Sequence, residues 1–231
     1  MNAAVVLQAR MGSTRLPGKV LARIAGRTVL EHCFERLRVS GLPVVLATTT
    51  RGEDDALVNE AARLGVAATV RGPDDDVLAR YVMTAQQCGL DEIVRATADN
   101  PAVDLGVTAR LLRARRDAGV DHVVEDGLPY GATVEVVTRE ALERAAELAT
   151  APYDREHVTP LLCRDARFRS MRVAAPAELR HPHLRLTVDT AADLEFIRKI
   201  VERAESSAQP PVPLAALIAA AGLPDPIPSA H

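Results

Sequence analysis

Along this chain the spacing of apolar positions switches back and forth between two periods. In the first half, short β-branched runs at 3–7, 43–50 and 66–72 alternate with stretches at 28–41, 53–65 and 75–89. In those longer stretches apolar residues recur every three or four positions, which is helical spacing. Short apolar runs bounded by turns read as buried strands, so the rhythm predicts parallel strands joined by crossover helices. It continues through a strand at 92–99, a helix over 105–118 and strand character at 121–124. Beyond residue 124 the pattern changes. Turn signals lead into a strand at 134–138, a helix at 140–149, an irregular connector APYDREHVTP at 151–160 and another helical piece. The stretch 125–165 is thus expected to form a small inserted α+β appendage. Strands at 170–174 and 185–188 follow, then a helix capped by the Thr190 hydroxyl, an apolar helix at 214–221 and a loose tail, PDPIPSAH, at 224–231. The fold class is α/β: one domain over 1–231 with an open, doubly wound, mixed and mainly parallel sheet. Ligands of such sheets bind beyond the carboxyl ends of the strands. The Gln8 loop, Thr48–Thr50, Arg71–Gly72 and Ala98–Asn100 all emerge at that rim.

Composition narrows the class without choosing a function. The 231 residues suffice for a sizeable core, and 48% hydrophobic with 26% charged residues is ordinary for a globular protein. A net charge of −3 with scattered cations argues against nucleic acid as partner. Cys33, Cys88 and Cys163 are far apart and read as reduced core residues, and His181-Pro-His183 reads as a surface turn. No run of about 18 apolar residues occurs, so no membrane span is expected and the protein is expected in the cytoplasm.

The densest chemistry lies in QARMGSTRLPGKVL, residues 8–21, where glycines and cations share one loop. Gly12 and Gly18 let backbone approach an anion, and Arg10, Arg15 and Lys19 spread positive charge around a triphosphate. Five residues separate Gly12 from Gly18 and Val20 follows Lys19, so the loop is not a Walker A motif, and G-x-G-x-x-G is absent. Asp99, just past one strand, and Asp189, between a strand and a helix start, suit Mg²⁺, which takes one or two carboxylates with phosphate oxygens and waters. The plainer alternatives are an Asx turn at Asp99 and a helix cap at Asp189. Asp76 and Arg80, one turn apart, can pair with each other or reach a ribose or base. Arg71 stands on the same rim. Glu135, Arg155, Glu156 and His157 are polar where a bare strand or helix needs none, and form a candidate acceptor site.

Taken together, QARMGSTRLPGKVL, RGPDDDVLARY, RATADNP, VEVVTREAL, REHVTP and RLTVDTAADLEFIRKI resemble the cytidylyltransferases of the spore coat polysaccharide biosynthesis protein F type. These are relatives of the synthetases of CMP-3-deoxy-manno-octulosonate and CMP-acylneuraminate. The resemblance runs in order from Val5 to Ile200. It implies a glycosyltransferase-A-like nucleotidyltransferase fold that binds CTP and Mg²⁺, transfers CMP to a small-molecule acceptor and releases pyrophosphate, commonly as a homodimer. Carried over by motif, Arg10, Ser13, Arg15 and Lys19 hold the triphosphate, Gln8 and Ala9 lie near the cytosine, and Asp99 and Asp189 hold the metal. The acceptor is expected at the 125–165 appendage, which also serves dimerisation. Two positions depart from the pattern: Asn100 stands where relatives carry cysteine, and Thr133 replaces a carboxylate in Gly131-Ala-Thr-Val-Glu135. A relative using another nucleotide to make NDP-sugars, and a non-catalytic nucleotide-binding homologue, remain as alternatives.

Overall fold

Strand β1 (Ala3–Gln8) shows how the sheet is buried. Its Val5 and Leu7 join one hydrophobic cluster while Ala4 and Val6 join another, because successive side chains leave a strand on opposite faces. With both faces covered, the strand reads as an unbroken apolar run. The computed structural model, which describes residues 2–222, sets β1 within a seven-stranded sheet. Across the sheet the order is β5 (Ala68–Gly72), β4 (Val44–Thr49), β1, β6 (Glu92–Thr97), β8 (Glu135–Thr138), β7 (His122–Asp126) and β9 (Ser170–Ala174). The pairs β1–β4, β1–β6, β4–β5 and β7–β9 are parallel, whereas β8 runs antiparallel to both of its neighbours. The sheet is therefore mixed and mainly parallel, as the alternating rhythm predicts. A separate two-stranded hairpin, β2 (Arg23–Ile24) with β3 (Arg27–Thr28), escaped the reading because strands of two residues carry no period.

Helices cover both faces. On one side α1 (Val29–Leu37), α2 (Asp55–Leu64), α4 (Val107–Ala118), α8 (Ala191–Glu205) and α9 (Leu214–Ala220) enclose the cluster containing Leu7, Leu30, Leu57 and Leu111. On the other, α3 (Val77–Gln87), α5 (Arg139–Leu148) and α7 (Pro160–Arg164) enclose Val6, Tyr81, Leu142 and Leu162. Thr190 caps α8 in a capping box with Asp193, so the hydroxyl satisfies a backbone N–H that the first turn leaves unpaired. Among the described residues no helix is long and apolar enough to cross a membrane. The tail at 224–231 lies outside the described residues.

Four expectations need correction. The stretch 125–165 does not sit over the sheet as an appendage: β8 lies inside it, between β6 and β7, and α5 packs on α3. Val136 and Val137 are both fully buried, on opposite faces, and such a strand needs cover on both sides. The connector at 151–160 is largely helical, forming α6 (Pro152–His157) with proline in its first turn, where a missing N–H costs nothing. Residues 185–188 form no ladder. Their backbone instead bonds to loops, Leu186 N–H to Tyr130 O at 2.8 Å and Val188 N–H to Asp99 O at 2.8 Å. Of the three cysteines, Cys33 is buried, Cys88 half-buried and Cys163 exposed, so the core reading holds for Cys33 alone.

Candidate active site

The loop after β1 turns back on itself. Met11 O accepts from Ser13 N–H at 2.9 Å and from Gly18 N–H at 3.0 Å, and Gly18 takes the left-handed φ of 69° that lets the chain enter the short turn Lys19–Leu21. Asp54, with no exposed surface, anchors the loop from outside. Its carboxylate accepts from Met11 N–H at 2.7 Å, Thr48 Oγ1–H at 3.0 Å and Thr49 N–H at 3.1 Å. Lys19 is thereby delivered to the carboxyl ends of β1 and β6.

There it meets both aspartates. Lys19 Nζ donates to Asp99 Oδ2 at 2.8 Å and to Asp189 Oδ1 at 2.9 Å, although Asp99 and Asp189 are far apart in the chain. Arg15 lies 3.0 Å from the same Asp189 oxygen, and Arg185 donates to the other. Burial pushes the Asp189 carboxyl up, but Lys19, Arg15 and Arg185 together hold it below the usual carboxylate range. The hydrogen bond from Val188 N–H to Asp99 O ties the two aspartate-bearing segments together, so the irregular 185–188 backbone is what sets the pair. Neither plain alternative accounts for them: Thr190 is the cap of α8, and the Asp99 carboxylate faces Lys19.

These residues line a cleft of about 680 Å³ along the carboxyl ends of β1 and β6. The cytosine candidates Gln8 and Ala9 and the loop candidates Arg10, Gly12, Ser13, Arg15 and Lys19 all border it, with Asp99, Asp189, Glu135, Glu156 and His157. Arg10 reaches Asp74 Oδ1 at 3.1 Å, which aims its guanidinium across the loop. Two carboxylates converging on one ammonium fit the donor set that Mg²⁺ usually takes from a protein, phosphate oxygens and waters filling the rest of its shell. No cluster of three or more histidine, cysteine or carboxylate side chains suited to a metal occurs among the described residues, so a closed protein cage is not available.

Three candidates lie outside the cleft. Arg71 spends its donors on Thr49 O at 2.7 Å, Arg51 O at 2.6 Å and Asp55 Oδ1 at 2.6 Å. Asp76 caps α3 through Ala79 N–H at 2.9 Å and accepts from Arg155 Nη1 at 2.6 Å, so these two hold α6 against α3 and Arg155, not Arg80, is the partner of Asp76. Thr48 and Thr49 likewise serve Asp54.

Sequence reasoning missed residues that the cleft brings in. Arg95 interrupts the apolar run of a central strand, and that charge was the available signal. It stands directly across from Glu135, with Nη1 3.6 Å from Oε2, and donates from Nη2 to His157 O at 3.2 Å. Tyr130, 60% exposed at the mouth, lies under Arg185 with 4.8 Å from guanidinium carbon to ring centre. Gly131 has φ 91° and approaches so closely that a Cβ would sit 2.9 Å from Asn100 Oδ1 and 3.0 Å from Leu186 O. Nothing but sequence distance hid these contacts.

Residues 4–211 match the cytidylyltransferase family. The chain belongs to that family. It is 34% identical over 208 residues to spore coat polysaccharide biosynthesis protein SpsF of Bacillus subtilis (strain 168), covering 86% of each protein. The structure of a cytidylyltransferase from Leptospira borgpetersenii superposes with a TM-score of 0.82 at 28% identity, covering 95% of this chain and 93% of that one. CMP:2-keto-3-deoxy-manno-octonic acid synthetase complexed with CTP shares the fold, with a TM-score of 0.66 at 23% identity over 87% of this chain and 99% of that one. The protein is thus a nucleotidyltransferase of glycosyltransferase-A-like fold, as the motifs predicted.

Proposed function

We propose that this cytidylyltransferase moves CMP from CTP to an oxygen of a small acceptor, releasing pyrophosphate, with Mg²⁺ carried on Asp99 and Asp189. The observation that supports this most is the meeting of Lys19 and Arg15 with those two aspartates at one point of the cleft. CTP as donor is supported by the family and by the CTP complex of the synthetase that shares the fold. The spore coat relative favours a surface-glycan or related acceptor, either a sugar acid or a phosphate or phosphonate.

The protein's part is positioning and charge. The glycine-bearing loop presents backbone N–H groups to the phosphates, and Arg10, Arg15 and Lys19 offset charge on the α-phosphoryl group and the leaving pyrophosphate. Arg15 is 63% exposed, which leaves it free to turn from Asp189 toward a phosphate. Mg²⁺, when bound, supplies a further positive charge to the phosphate oxygens. At the other end of the cleft Arg95 holds Glu135 as an acceptor for substrate hydroxyls, beside His157. The acting form is a cytoplasmic homodimer.

The test is pyrophosphate release from CTP with a panel of sugar acids, sugar phosphates and phosphonates, with Mg²⁺ and with chelator. Release that needs CTP, Mg²⁺ and one acceptor class is the expected result. Faster release from another nucleotide, or CTP binding with no release from any acceptor, refutes it.

A further inference from the structure

Strand pairing lines up one polar row beneath the helices α3, α5 and α7. Arg95 on β6 is opposite Glu135 on β8, Glu135 is opposite Val124 on β7, and His122, two residues before Val124, is opposite Ser170 on β9. Residues opposite one another, or two apart, share a face of the sheet, so Arg95, Glu135, His122 and Ser170 all point the same way. Their atoms touch in that order. Glu135 Oε2 is 3.6 Å from Arg95 Nη1 and 3.5 Å from His122 Nε2, and His122 Nδ1 is 2.9 Å from Ser170 Oγ. Cys163 on α7 closes the row, its Sγ 3.9 Å from both His122 Nδ1 and Ser170 Oγ.

The two ends of the row differ. Arg95 and Glu135 line the cleft, while Cys163 is exposed on the outer surface, and His122 between them has no exposed area. A histidine buried this deeply beside a carboxylate, with a thiol on its far nitrogen, is the arrangement that activates a cysteine. Cys33 and Cys88 have no such neighbour, and burial pushes both their thiols up. Cys163 goes the other way: contact with His122 brings its thiol down. Burial alone lowers His122, yet Cys163 and Glu135 together raise it to about 9. The charged groups that face His122 come from three packed elements, Glu135 on β8, Cys163 on α7 and, one step further, Arg95 on β6. Thr159 adds a hydrogen bond to Glu135.

We propose that Cys163 is a thiol-modification site, open to peroxides, and that His122 and Glu135 connect it to the acceptor end of the cleft. In the reaction the thiol gives its proton to solvent and the sulfur lone pair forms a bond to one peroxide oxygen. The O–O bond breaks, and the departing oxygen leaves with the electron pair and takes up a proton as water. Sulfur is oxidised to sulfenic acid and the peroxide is reduced. His122 then loses its thiolate neighbour, and Glu135 loses part of the cationic partner that holds it in place. The link to acceptor binding rests on the proposed cytidylyl transfer, whereas the thiol chemistry does not.

The experiment uses the native full-length protein. Iodoacetamide labelling between pH 5 and 9, quantified by peptide mass, is expected to modify Cys163 at pH 7 at least about tenfold faster than Cys88, with a pH midpoint below that of a free thiol. Hydrogen peroxide followed by a sulfenic-acid trap is expected to mark Cys163. In the peroxide-treated protein, the imidazole titration of His122 followed by NMR is expected to move to lower pH, a readout that needs no turnover. If transfer is observed, the acceptor KM is expected to change severalfold while the CTP KM does not, reversibly with a thiol reductant, and Cys163→Ser, which has no thiolate to lose, is expected to show the changed acceptor KM from the start and no response to peroxide. Labelling of Cys163 no faster than Cys88, protection of Cys163 that is lost on diluting a dimer, or an unmoved His122 titration overturns the proposal. Absence of any transfer with these thiol results intact sinks the functional reading instead. His122→Asn, and Ser170→Ala should the former not fold, are expected to raise the labelling midpoint toward that of a free thiol.

Discussion

Lys19→Ala removes the one ammonium that Asp99 and Asp189 both hold. Two unit charges 4 Å apart attract by about 4 kcal/mol at the effective dielectric of a protein surface, and the contacts at 2.8 and 2.9 Å are closer still. Most of that attraction is cancelled by the cost of taking the charges out of water, so the folded protein should lose roughly 1–2 kcal/mol, read as a lower urea midpoint. Asp189 would then feel its burial more strongly, and its carboxyl would rise. Millimolar Mg²⁺ should return much of the lost stability, because the freed carboxylates bind the ion in the folded state only. During turnover the same substitution removes a cation from the developing phosphoryl charge, which costs about 3 kcal/mol, or on the order of a hundredfold in kcat. The assay is pyrophosphate release at saturating CTP beside urea unfolding with and without Mg²⁺. A folded variant with near-normal kcat would remove Lys19 from the chemistry, and an Mg²⁺-independent urea midpoint would remove the aspartates from metal binding.

Asp54→Ala strips the anchor from the loop proposed to hold the phosphates. With at least three hydrogen bonds to a buried carboxylate lost, about 3 kcal/mol of stability should go, and the CTP KM should rise with kcat less affected, measurable in the same assay. Gly131→Ala places a Cβ against Asn100 Oδ1 and Leu186 O at φ 91°, so thermal unfolding should show a loss of about 1–3 kcal/mol. Arg71→Ala should cost about 1 kcal/mol of stability and leave the CTP KM unchanged, because its donors serve backbone and Asp55; a raised KM would return it to the site. His122, raised from 6.5 to about 9 in the folded state, binds its proton more tightly there than in the unfolded chain. Its contribution is therefore complete below about pH 6.5 and is lost as pH rises through about 9, which urea midpoints at pH 6 and 9.5 would show as a fall. His122→Asn should flatten that slope.

The chain's own text determined its alternation of strands and helices, because hydrophobic period is a local property that each element carries in its own residues. The glycine- and cation-bearing loop was legible for the same reason: its residues stand together within 8–21, and the motif order to Ile200 identified the family. Asp99 was found from its place at a strand end, a rule about topology that needs no distances, and Asp189 from a strand expected at 185–188 that does not form, its place being set by loop hydrogen bonds instead. What the tertiary structure alone decided is partnership. Arg71 and Asp76 carry charges suited to a nucleotide and Arg155 one suited to an acceptor, yet neighbouring backbone and side chains engage each of them. Arg95, Asp54 and His122 are drawn into the site or its supports by strand register and loop closure. A charged side chain takes the partner that folding brings within about 3 Å, and that choice is made between segments tens of residues apart, where no local pattern reaches. Likewise β8 entered the sheet rather than an appendage because its two buried valines needed cover on both faces, a demand visible only once its neighbours were in place.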